Sequence, residues 1–252
     1  GNILAVKSDS FLLNQITEGE SYLNNKGFGI IFAVDNYNFG NISIKAVTGN
    51  YNKIQDKFTG SIEPIDLEKL PKLETHQQEI LNLLMEVKNE SRTSLHDDDN
   101  LVLLRNAKLI PLLRKVFQLV TGKDLVYLGQ KYSSYEFKIP KSTLEPLTLS
   151  QTPAEIIFEV LTSDEFVELR PLIKFDDEKI ALPWDEINKH RLNDILFNWK
   201  SKLYLIDDID TFTAVQFFQN QGKLKTTIDR HHEFIQNYVV PLTKNFKVDM
   251  SK

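Results

Sequence analysis

The chain has 252 residues, 41% hydrophobic and 26% charged, which suits one large globular domain or two smaller ones and excludes an intrinsically disordered chain. A formal net charge of -5 argues against a nucleic-acid binder that works by bulk charge and leaves only a local basic face for such contact. Cysteine is absent, so disulfides, thiolate zinc sites, iron–sulfur clusters and cysteine nucleophiles are excluded.

The polar, alternating amino terminus carries no secretory signal. Gly1, standing where an initiator methionine would, reads as a residue left by tag cleavage. The first third has strand character. Asn2 to Lys7 reads as one strand; Gly27 to Val34 and Ile42 to Val47, joined by the turn-forming cluster Asp35 to Asn41, read as an antiparallel hairpin. Thr48 to Asn52 is expected to break the second strand.

The period then changes. Thr75, with Gln78 three residues on, predicts a capping box that opens a helix running to about Val87, with Ile80, Leu84 and Val87 on its apolar face. After a polar loop over 91–100, Asn100 is expected to cap a second helix. Its stripe is Leu103, Ala107, Ile110, Leu113, Phe117 and Val120, with Gly122 at the helix end. The longest apolar run of the chain lies here, over 109–120. Pro111, Arg114 and Lys115 interrupt it and it is shorter than the roughly 20 residues needed to span a bilayer, so a buried helix of a cytoplasmic protein is expected rather than a membrane segment.

Strand patterns return after Asp124. Ile156, Phe158 and Val160 alternate with their neighbours, as do Val167, Leu169, Ile173 and Phe175; turns are expected at 175–180 and 199–203. The chain closes with a helix near Thr211 to Gln219 and another near Asp229 to Val240, the latter with Ile235, Val239 and Leu242 on its apolar face and Pro241 at its end. Because strands and helices come in blocks, the expected class is α+β, with antiparallel β-meander blocks flanking a central helical pair and two C-terminal helices. The composition divides at 122/123 into a hairpin-plus-helices region and a meander region, or the two make one continuous domain.

No nucleotide-binding loop is legible, and no cofactor is expected. Gly122-Lys123 and Gly222-Lys223 lack the upstream glycine and the following hydroxyl of a P-loop, and Gly27-Phe28-Gly29 lacks the third glycine of a dinucleotide fingerprint. Asp207, Asp208 and Asp210 at a strand end could hold Mg²⁺ for phosphoryl chemistry, but helix capping explains the same residues. His96-Asp97-Asp98-Asp99 offers metal-ligand atoms, although consecutive residues rarely converge on one ion and a solvated loop accounts for the run. Asp177-Glu178-Lys179 matches the D-x-K element of restriction-type nucleases, and equally a charged hairpin turn. His231 and His232 are adjacent, so on a helix they diverge by roughly 100° and do not chelate one ion. No G-x-S-x-G elbow is present.

The remaining constellation is basic and aromatic. Lys189, His190, Arg191, Trp199, Lys200 and Lys202 cluster in sequence, while Arg105, Lys108, Arg114 and Lys115 ride on the second central helix. Aromatic rings beside lysines can stack bases and hold phosphates; a solvated basic face around a core tryptophan has the same composition. Lys189, Arg191, Trp199, Lys200 and Lys202 are the candidate nucleic-acid contacts.

One stretch, residues 195–249, carries a family resemblance. The strand Lys202 to Ile206, the helix Ala214 to Phe218, the segment Lys223 to Thr226 and the run Phe234 to Leu242 resemble the non-motor region that precedes the helicase core in bacterial Swi/Snf-family ATPases. The resemblance implies that ATP hydrolysis and DNA translocation reside in two downstream RecA-like domains, and that this chain is an accessory module with those motor domains, and DNA, as partners. It transfers no active-site residue. The expectation is therefore a non-catalytic accessory domain of a DNA-translocating helicase. The alternatives are a metal-dependent nuclease or hydrolase built on Asp207, Asp208, Asp210 or Asp177 with Lys179, and a protein-interaction module with no nucleic-acid role.

Overall fold

The first hairpin consists of β1 (Lys26–Val34) and β2 (Ile42–Asn52), paired antiparallel with Phe32 opposite Ile44, and β3 (Lys57–Pro64) extends it into a three-stranded meander. The computed structural model describes residues 26–34, 42–65, 73–91, 98–120, 125–129, 138–181, 189–218 and 222–250. The strand expected at Asn2 to Lys7, the turn at Asp35 to Asn41, Gly122 and the pair His96-Asp97 lie outside the described residues.

β2 does not break at Thr48 to Asn52 but runs on through it. Gly49 is there for space: a Cβ on it would come within 2.8 Å of Ile62 Cγ2 on β3. Gly27 and Gly29 serve the same end on β1, since a Cβ on either would lie 2.9 Å from the ring of the fully buried Phe58. Glycine inside a strand marks close approach here, not a turn.

Four further strands join this meander. They are β4 (Leu125–Gly129), β5 (Leu144–Leu149), β9 (Leu196–Trp199) and β10 (Lys202–Leu205), giving a seven-stranded sheet of order β3-β2-β1-β4-β5-β10-β9. The pairings β1–β4 and β5–β10 are parallel, and the sheet takes strands from both sides of the 122/123 division. A second sheet holds β6 (Glu155–Thr162), β7 (Phe166–Phe175), β8 (Glu178–Ala181), β11 (Leu224–Thr227) and β12 (Lys247–Asp249), in the order β11-β7-β6-β12 with β8 also on β7. The sheets meet where Ala154, just before β6, bridges in parallel to Ile206, just after β10.

The helical pair is α1 (Thr75–Glu90) and α2 (Asp99–Leu119), which pack on each other. The box opening α1 lies one residue earlier than expected. Glu74 is extended with ψ 153° and its N–H donates to Gln77 Oε1 at 3.2 Å, so Thr75 is already helical and Gln78 is not the partner. Ile80, Leu84 and Val87 are buried as expected, joined by Leu81. Asp98, not Asn100, caps α2, accepting the Leu101 N–H at 2.8 Å. The buried face of α2 keeps Ile110, Leu113 and Phe117 of the expected stripe and adds Leu109 and Val116, whereas Leu103 and Val120 are half-buried and Ala107 is exposed. Pro111 sits on the exposed side of this continuous helix.

The architecture is thus α+β: strand blocks that are mainly antiparallel, with the parallel pairings β1–β4, β5–β10 and β6–β12, flank the helical pair in sequence, and α3 (Ile209–Phe218) and α4 (His231–Phe234) lie near the carboxyl end. The last helix is not regular to Val240. After α4 the chain widens into an i→i+5 turn over Ile235–Val239, where the Val240 N–H reaches the Ile235 carbonyl, and then tightens through Pro241. Phe234 and Val239, five residues apart, are therefore the buried pair, and Ile235 and Leu242 only flank the core.

Two cores lie on opposite faces of β1. Phe28, Ile30 and Phe32 face the main core with the helices, while Ile31 and Ala33 face a smaller one with Val47, Phe58, Ile62 and Tyr127. Burial on both faces explains why β1 reads as an unbroken apolar run instead of alternating.

Candidate functional site

Three of the sequence candidates, Trp199, Lys200 and Lys202, come together where two hairpin tips from different sheets meet. The β7–β8 turn is Asp176-Asp177, with Asp176 at φ 51°, and the β9–β10 turn is Lys200-Ser201, with φ 50° and 60°. Positive φ at both central residues of a two-residue loop matches the right-handed twist of the flanking strands. Non-glycine residues hold that conformation at a cost of about 1 kcal/mol or more each, so the contacts around the tip must fix it.

Those contacts are charge-complementary. Lys200 Nζ lies 2.6 Å from Glu178 Oε1, and Trp199 Nε1 donates to Glu178 Oε2 at 3.2 Å. Lys202 Nζ lies 2.9 Å from Asp176 Oδ2, which also accepts the Tyr204 hydroxyl at 2.7 Å, and the Thr152 hydroxyl donates to Asp176 Oδ1. Beneath the polar layer Phe175 stacks on Trp199 at 5.4 Å and 10°, and meets Tyr204 at 4.9 Å. His190 closes edge-on against Trp199 at 4.9 Å. The tips line a cleft of about 250 Å³.

The hydrogen bonds from Thr152, Tyr204 and Lys202 hold the Asp176 carboxyl down at about 2. The Lys200 bond likewise lowers the Glu178 carboxyl. Burial, reinforced by the Asp176 charge, pushes the Tyr204 phenol up. Both acids are therefore firmly ionised and Tyr204 is a committed donor, which makes the junction an ion-paired clasp between the sheets.

Of the candidate nucleic-acid contacts, Trp199, Lys200 and Lys202 come together in this clasp, and Lys189 is exposed. Arg191 does not join them. Its side chain is 2% exposed and its guanidinium donates to Asp194 at 3.2 Å and to the Asn193 carbonyl at 3.2 Å. A phosphate in solvent cannot reach it, so its role is internal: it offsets the burial that pushes the Asp194 carboxyl up. Of the basic residues of α2, Lys108 lies on Glu90 at 3.7 Å and Arg114 donates to the Asp207 carbonyl.

The acidic candidates are placed differently. Asp208 caps α3, its Oδ1 accepting the Thr211 N–H at 2.8 Å and the Thr211 hydroxyl at 2.9 Å. Burial and the neighbouring Asp208 charge raise the Asp207 carboxyl, and Asp210 points to solvent in the first turn of α3. Asp177 and Lys179 are exposed at the β7–β8 tip, while the Glu178 between them belongs to the clasp. Among the described residues, no group of three or more histidine, aspartate or glutamate side chains is placed to hold a metal ion.

Phe175, Asp176, Thr152 and Tyr204 complete the site without having been singled out as candidates in the sequence. The period-2 rule offered one signal, since Lys202 and Tyr204 share a face of β10. Thr152 offered none, because it acts on a side chain 24 residues away. No protein family, characterised protein or solved structure matches this chain. No helix among the described residues is long and apolar enough to cross a membrane.

Proposed function

We propose that the protein is a cytoplasmic, non-catalytic accessory module of a DNA-translocating, helicase-type ATPase, working by docking to motor domains or to DNA. The observation that carries this reading is the path of residues 195–249, the stretch that resembles the region ahead of a Swi/Snf helicase core. It supplies β9 and β10 at one edge of the first sheet, α3 in the main core, and both β11 and β12 on opposite flanks of the second sheet. A stretch so woven through both sheets behaves as one rigid body and suits a mechanical mount better than a mobile catalytic loop.

The use of the acidic residues supports the same reading over a metal-dependent nuclease. Asp208 is engaged as a helix cap and Glu178 in the clasp, both roles that stabilise the fold and need no ion. Reading the gene on both sides of these residues tests the proposal. A Walker A lysine downstream in the same polypeptide is expected, and deleting residues 1–252 from that polypeptide should lower or deregulate its DNA-stimulated ATP hydrolysis. A stop codon directly after Lys252 would sink the proposal.

A further inference from the structure

Away from the clasp, three lysines from three strands line one cleft. Lys174 on β7, Lys179 on β8 and Lys247 on β12 border a depression of about 400 Å³, with Ile157 on the same face of β6 as Lys247 on β12. We infer that this cleft is a phosphate-binding site, taking the phosphate group of a small phosphorylated ligand or of a nucleic-acid backbone.

Two independent observations carry the inference. First, Lys174 and Lys179 are direct cross-strand partners, so their ammonium groups rise from the same face of the second sheet on adjacent strands. Like charges placed directly opposite destabilise a sheet, and a bound anion removes that repulsion. Second, the described residues supply no paired counter-charge. Lys200 and Lys202 lie on Glu178 and Asp176, but none of the three cleft lysines stands within ion-pair distance of a described carboxylate. Glu155 is the cross-strand partner of Lys174 on its other side, but its carboxylate is not within ion-pair distance of that ammonium. Among the described residues Asp249 is the one carboxylate lining the cleft, so their lining charge is net positive.

Size and chemistry agree with the ligand class. The volume lies within the range of small-ligand pockets. Lysine binds phosphate as a point charge on a flexible stem, which suits three cations reaching inward from different strands. The inference requires nothing of the helicase context and stands whichever way that proposal falls.

The test titrates the whole 252-residue chain with pyrophosphate by calorimetry, and with a labelled single-stranded oligonucleotide by fluorescence anisotropy, both at low salt. Binding of at least one ligand is expected, with at least a tenfold loss of affinity in the triple variant Lys174→Ala, Lys179→Ala, Lys247→Ala. Arginine at the same three positions should retain binding, and Lys88→Ala on the exposed side of α1 should leave it unchanged. Pyrophosphate that displaces the oligonucleotide identifies a small phosphorylated ligand as sufficient to fill the site. Oligonucleotide binding without pyrophosphate binding identifies the backbone, with a log-log salt slope of roughly -2 that collapses in the triple variant. Lys179→Glu gives a second reading: it should abolish binding while raising the melting temperature, because it turns a repulsive cross-strand pair into an attractive one. Failure of both ligands to bind the wild-type chain, or a folded triple variant that binds as tightly as wild type, overturns the inference.

Discussion

Asp176 and Lys202 meet at 2.9 Å across the junction of the two sheets, one from the tip of the β7–β8 hairpin and the other from the start of β10. The Asp176 carboxylate also takes the hydroxyls of Thr152 and Tyr204, so a single residue gathers three segments of chain.

This arrangement makes stability depend on acid. The folded-state carboxyl of Asp176 is lowered from 3.8 to about 2, so its contribution is fully present above pH 4 and is lost as pH falls through about 2. The side chain is 39% exposed, which by solvent screening reduces the contribution to about 1 kcal/mol. Asp176→Asn should therefore lower stability by that amount at pH 7 and flatten the acid limb of the urea midpoint plotted against pH. An unchanged acid limb would show that the clasp contributes nothing.

Arg191 should behave as a core residue. Replacing it with Met leaves the buried Asp194 carboxylate without its cation, a loss of about 3–5 kcal/mol. Lys189→Ala, at an exposed neighbour, should stay within about 0.5 kcal/mol of wild type. Chemical denaturation of the two variants side by side checks the contrast.

Asp208→Ala removes the cap of α3 and should cost about 1 kcal/mol. Mg²⁺ or Mn²⁺ should shift the melting temperature of wild type and variant equally. A metal-induced stabilisation present in wild type and missing in the variant would revive the phosphoryl-transfer alternative.

Gly29→Ala should destabilise by roughly 1–3 kcal/mol through overpacking. Its Cβ would meet the Phe58 ring at 2.9 Å and the Leu125 carbonyl oxygen at 2.8 Å. Adding Phe58→Leu relieves the first contact but not the second, which is backbone. The double variant should thus remain less stable than Phe58→Leu alone by thermal melting.

Much of the secondary structure was legible because side-chain periodicity is local. Alternation placed β6 and β7, the spacing of Ile80, Leu84 and Val87 placed α1, and the charged turns at 175–180 and 199–203 are the two hairpin tips. Misreadings arose where the cause was distant. Gly49 looks like a turn residue until Ile62 of the next strand is seen against it. Arg191 looks like a surface cation until the chain folds over it and Asp194.

The sequence by itself determined the α+β class, the order of the strand and helix blocks, and the exclusion of cysteine chemistry. Composition and period are properties of the chain alone. Only the tertiary structure decided which charges meet: Glu178 with Lys200 across 22 residues, Asp176 with Lys202 across 26, and Lys174, Lys179 and Lys247 around a common cleft. The physical reason is that ion pairing acts over a few ångströms, and which groups come that close depends on how the two sheets dock, a relation no local spacing encodes.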